Sequence, residues 1–99
     1  MTAFEMMADP AKFAENLKTA TLSQLAEIIT RDHSNQARQI YFGAKPYVAA
    51  MGSMSQISDQ YGADDGRSIV TYALCNLGQW RGEVARAVKS ELKRRLKTS

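Results

Sequence analysis

The chain has 99 residues, of which 44% are apolar and 23% charged, a composition that fits one globular domain rather than a disordered segment. No apolar run reaches transmembrane length, and Met1 to Asp9, with Glu5 and Asp9, lacks the basic opening of a signal peptide. The formal net charge of +3 is unevenly spread: residues 1–33 carry five acids and three bases, whereas residues 80–99 carry seven bases and two acids. That asymmetry points to an acidic partner, either nucleic acid or an acidic protein surface.

Taken in order, Met1 to Ala8 is mostly apolar and reads as an N-terminal arm, free or packed on the domain or on a neighbouring subunit, ahead of a single domain over residues 9–99. Asp9-Pro10 is a helix-start signal, with Phe13, Ala14 and Leu17 as the inner face that follows. Thr21 then reads as an N-cap with Gln24 as its capping-box partner, leading an apolar face of Leu22, Leu25, Ala26, Ile28 and Ile29. Asp32 to Asn35 is polar and predicts a turn, after which Ala37, Ile40, Tyr41 and Ala44 resume helical spacing. Lys45-Pro46 marks a boundary, and Pro46 opens a helix with a stripe of Tyr47, Ala50, Met51, Met54, Ile57 and Tyr61.

Tyr61 to Gly66 is punctuation. Gly62 suits the left-handed residue that closes a helix, and Asp64 or Asp65 suits the cap of the next. Ile69, Val70, Ala73, Leu74, Leu77 and Trp80 predict one helical face, with Gly78 as a break. From Glu83 to about Leu96 the chain is strongly helical, with Val84, Val88, Leu92 and Leu96 as one stripe. Arg86, Lys89, Lys93 and Lys97 stand on the opposite side, and Glu91–Arg95 has the order of a surface ion pair. No strand pattern appears, so the expected fold is all-α, a bundle of about five helical segments with short connections. The stretch from Tyr61 to Lys97 is expected to organise it, with the earlier helices covering its apolar faces.

Candidate chemistry is sparse. His33, the one histidine, reads as a surface loop residue with no local nucleophile or carboxylate partner, and Cys75 reads as a buried structural thiol. One histidine and one distant cysteine give no zinc spacing, and Asp59, Asp64, Asp65 and Gly66 miss the pattern of a calcium loop, so neither metal nor cofactor is expected. Residues 22–42 allow a degenerate helix-turn-helix that would present Gln36 and Arg38 to base edges, although the usual turn glycine is missing. Arg86, Lys89, Lys93 and Lys97 form a candidate phosphate-binding face, although a solvated face that keeps a small domain soluble is the favoured reading. No interleaved aromatics suggest a stacking platform for single strands. Trp80, Arg81, Tyr47 and Tyr61 are candidates for a protein interface, because Trp, Tyr and Arg dominate binding hot spots; Trp80 can equally be a core residue.

The block Tyr41-Phe42-Gly43-Ala44-Lys45-Pro46-Tyr47, followed by Tyr61-Gly62-Ala63-Asp64, Trp80-Arg81-Gly82-Glu83 and Glu91-Leu92-Lys93, resembles small uncharacterised proteins encoded in tailed-phage and prophage genomes. The resemblance implies a bacterial cytoplasm and an accessory role, such as regulation or blocking a host factor, and it assigns no residue. The expectation is therefore a non-enzymatic protein acting by protein contact, as a homo-oligomer. The alternative is a small DNA-binding regulator using residues 80–97.

Overall fold

A computed structural model describes residues 2–98. Among them are six helices and one two-stranded hairpin: α1 (Ala3–Ala8), α2 (Phe13–Thr19), α3 (Leu22–Asn35), α4 (Lys45–Met51), β1 (Gln60–Tyr61), β2 (Asp64–Asp65), α5 (Gly66–Cys75) and α6 (Glu83–Thr98). The largely helical expectation holds, with a small antiparallel sheet added. The C-terminal stretch does gather the earlier helices, α5 packing on α4 and α6 on α2 and α3, with α3 as a second hub. α3 packs against α1, α4 and α6, while α6 also touches α2 and α5. Leu22, Leu25, Ile28 and Ile29 of α3 are fully buried with Val88 and Leu92 of α6. Removing such branched side chains from water, at roughly 1.5–3 kcal/mol each, is the main force holding the helices together.

The first residues form a helix rather than a loose arm. Thr2 and Glu5 complete a capping box, and Ala3 and Met6 turn into the core. The start predicted at Asp9-Pro10 comes later: the Asp9 carboxylate accepts from the Ala11 N–H in a turn, and α2 begins at Phe13. Thr21 and Gln24 make the expected reciprocal capping box. Two more N–H groups at the start of α3, those of Leu22 and Ser23, donate to the carbonyls of Ser55 and Met54. The loop 52–59 thus satisfies donors that a helix N-terminus leaves open.

Three expectations are corrected between residues 32 and 61. Asp32 to Asn35 is the last turn of α3, not a loop, and the helical spacing after it belongs to irregular chain. α3 ends in a Schellman motif: the Arg38 N–H donates to the His33 carbonyl and the Ala37 N–H to the Ser34 carbonyl. Ala37 takes the left-handed position at φ 56°, which a glycine normally fills. The chain therefore turns away, and no recognition helix follows, which removes the helix-turn-helix. α4 starts at Lys45-Pro46 as expected but stops at Met51. Past it, the Asp59 carboxylate captures the N–H groups of Ser55 and Gln56, competing with helix continuation.

Gly62, at φ 61°, makes the turn of the β1–β2 hairpin rather than closing a helix, with Tyr61 opposite Asp64 and Gln60 opposite Asp65. Asp65 then caps α5 by accepting from the Ser68 N–H at 2.8 Å. Gly66 is where the backbone comes closest to a neighbour: a Cβ there would overlap the Ile57 carbonyl. α5 ends at Cys75, so residues 76–82 form a loop, and Cys75 is exposed rather than buried. Leu77 and Trp80 reach the core from that loop.

Candidate nucleic-acid interface

The site is built on the outer face of α6. Helical steps of three and four residues bring Arg86, Lys89, Ser90, Lys93 and Lys97 onto one surface, with Arg94 beside them. Their inner counterparts, Ala85, Val88 and Leu92, are buried, so packing fixes which side faces outward. None of Arg86, Lys89, Lys93 and Lys97 has a carboxylate within ion-pair distance among the described residues.

The acid that would neutralise this row is turned inward. Glu91 was expected in a surface pair, but it is 7% exposed and receives both Arg94 and Arg95 at 2.6 Å. Burial pushes its carboxyl pKa up, but the two guanidinium hydrogen bonds outweigh that and hold it below the usual range. Arg95 also donates to the Leu17 carbonyl at 2.7 Å, tying α6 to the end of α2.

Lys89 bends toward the loop. Its ammonium donates to the Trp80 carbonyl at 2.6 Å and lies 5.8 Å from the Trp80 ring centroid. Burial lowers its pKa, and the charges of Lys93 and Arg81 lower it further. Exposed Arg81 thus belongs electrostatically to the same row.

Behind the row lies a buried polar network that sequence reading missed. Asp32 accepts from the Trp80 indole N–H at 2.8 Å and from the Gln36 amide at 2.7 Å. Gln36 also donates to the Arg81 carbonyl at 3.1 Å. His33, read as a surface loop residue, is buried: Nδ1 donates to the Ile29 carbonyl at 2.7 Å and the ring stacks on Trp80 at 5.3 Å. Asp32 and Trp80 are 48 residues apart, and no local pattern announces their pairing.

The remaining candidates separate. Trp80 is 3% exposed, so its ring belongs to the core rather than to a partner. The Gln36 side chain is engaged in the network, while Arg38 lines a small cavity of about 40 Å³ with Gln39, Tyr41 and Asn76. Tyr47 is half-buried against Tyr72, at 5.4 Å between rings, and Tyr61 is exposed on the hairpin. Tyr41 and Phe42, which were not singled out, form an exposed pair with ring centroids 4.8 Å apart.

Among the described residues, no three His, Cys, Asp or Glu side chains converge to hold a metal, and no helix is long and apolar enough to cross a membrane. The geometry defines a small helical protein with a row of cations along the outer face of α6. Comparison with known protein families, with curated proteins and with solved structures finds no match.

Proposed function

We propose that this chain is a non-enzymatic binding protein, of the phage accessory kind its resemblance implies, whose α6 face grips the phosphate backbone of nucleic acid. One observation carries the reading: exposed Arg86, Lys93 and Lys97 and half-buried Lys89 share one face without an ion-paired acid among the described residues, while Glu91 is consumed inside. Arg86 to Lys97 covers about 16 Å of helix axis, the length of about five stacked nucleotides. Cations so placed gain affinity by releasing counterions, which makes binding depend steeply on salt.

The test is fluorescence anisotropy of labelled DNA at low and moderate salt, comparing the wild type with an Arg86→Glu/Lys93→Glu/Lys97→Glu variant. These side chains are exposed, so the fold should survive their reversal. The wild type should bind with affinity falling at a log–log salt slope of roughly −3 to −4, at 0.7–0.9 for each of four neutralised phosphates, and the variant should not bind. Absence of binding at low salt, or undiminished binding by the variant, would overturn the reading.

A second reading is self-association through an aromatic surface. It is favoured by Phe42, 76% exposed, with Tyr41 beside it. Trp80 no longer supports it, being buried. Sedimentation at several concentrations separates a monomer from a homo-oligomer.

A further inference from the structure

Tyr41 and Phe42 are separated from α6 by at least forty residues of sequence, yet the fold links them to the cation row through Trp80. Trp80 and Tyr41 line the same small cavity, together with Arg38, Gln39, Asn76 and Gln79. The carbonyl of that same Trp80 receives Lys89, and its neighbour Arg81 lies close enough to Lys89 to lower its pKa. Tyr41, with Phe42 packed beside it, and Lys89 of α6 thus meet at one residue, Trp80.

The rings and the cations each have their own chemistry. The row of cations suits any phosphate backbone. The exposed rings do not, because a flat aromatic face gains most from another flat face. Phe42 is 76% exposed and Tyr41 41%, which leaves the pair open to solvent. In a duplex the base faces are stacked on one another and out of reach. An unpaired strand offers them freely, and base–aromatic stacking is the main non-electrostatic term for such strands. Gln39, Asn76 and Gln79 line the cavity together with Tyr41, and such amides can pair with the donors and acceptors of base edges. A cavity of about 40 Å³ admits a water or a small protruding group, not a whole base. A base plane could therefore rest only outside it, and with the two rings tilted by 52° it could lie flat on one of them, Phe42 being the more exposed.

We infer that the ligand is single-stranded nucleic acid, its phosphates tracking α6 from Lys97 to Lys89 and an unstacked base resting on Phe42. This deepens the function proposed above and rests on it. The fold supplies what sequence spacing lacks, an exposed aromatic pair that meets the same Trp80 as Lys89 of the basic helix.

The experiment uses the full chain with a labelled 20-nucleotide thymidine strand and a mixed-sequence duplex of equal length. Wild type, Phe42→Ala, Phe42→Trp and the α6 charge-reversal variant are compared. Phe42 is exposed, so its substitutions should leave the thermal melt unchanged, which is checked first. The wild type should prefer the single strand at moderate salt. Phe42→Ala should weaken single-strand binding by roughly 5- to 150-fold without changing the salt slope, and Phe42→Trp should restore it. Duplex bound as tightly as single strand, or single-strand binding indifferent to Phe42→Ala, overturns the inference. If charge reversal still abolishes binding in that case, the phosphate-binding function survives alone. No binding by either nucleic acid removes both. If Phe42→Ala instead dissolves a homo-oligomer and leaves DNA binding intact, the rings seat a second copy and the inference fails.

Discussion

Replacing Asp32 with alanine should be among the most damaging single changes in this protein. Its carboxylate accepts from the buried Trp80 indole at 2.8 Å and from Gln36 at 2.7 Å. Hydrogen bonds to a charged group contribute about 1.5–3 kcal/mol, and a stranded buried donor costs about 1–3 kcal/mol. Against this stands the desolvation of the carboxylate itself, which is relieved when it is removed. Gln36 retains the Arg81 carbonyl, so only the indole is left stranded. A net loss of about 2–3 kcal/mol follows, or roughly 10–20 °C in melting temperature for a domain of this size. Asp32→Asn keeps an oxygen for both donors and should cost about 1 kcal/mol or less. Trp80→Phe removes the donor and keeps most of the ring. In the Asp32→Ala/Trp80→Phe double mutant the two losses should therefore fall short of additive by about 1 kcal/mol. Thermal and urea unfolding followed by circular dichroism measure all four. The reasoning is refuted if alanine costs no more than asparagine, or if the two losses simply add.

Two further outcomes follow from local geometry. Ala37→Gly should stabilise the protein by about 1 kcal/mol, because an L-residue in the left-handed region costs about 1–2 kcal/mol; φ at Ala37 is 56°. A urea midpoint that stays or falls would show that the Schellman turn carries no strain. Glu91 should contribute to acid unfolding. Its carboxyl lies below the usual range when folded, so its contribution is full above about pH 4.5 and is lost as pH falls through the folded value. Asp59 and Asp65, lowered chiefly by backbone N–H groups of Gln56 and Ser68, act with the same sign. Melting temperature measured from pH 7 to pH 3 should therefore fall less steeply in Glu91→Gln than in the wild type, and parallel curves would contradict the assignment.

What could be read in the sequence was what side chains do to their own neighbourhood. Thr21 with Gln24, the Asp65 cap and the outer stripe of α6 depend on partners three or four residues away, and all appear in the fold. The loop 36–44 was illegible for a definite reason. A Schellman turn is announced by glycine, and here alanine holds the left-handed place. The helical spacing of Ala37, Ile40, Tyr41 and Ala44 then arises in chain that is not helical, with Ala44 buried at the entry to α4. His33 and Cys75 were misplaced for a related reason: burial depends on where helices end. α3 runs one turn further than its polar residues suggest, and α5 stops before Trp80.

The buried network and the cationic face are one construction. Asp32 holds the Trp80 indole, and Gln36 holds the Arg81 carbonyl, so the loop leaves the end of α3 in a fixed path. That path presents the Trp80 carbonyl to Lys89, and the amine bends to meet it. Burial there lowers the Lys89 pKa, and the nearby charges of Lys93 and Arg81 lower it further. A neutral ligand would leave the repulsion in place, whereas a polyanion laid along the row relieves it. On the function proposed above, the stability of the network and the affinity of the face are coupled through Trp80. An Asp32→Ala protein that is still folded at low temperature should lose affinity for nucleic acid although Asp32 touches none.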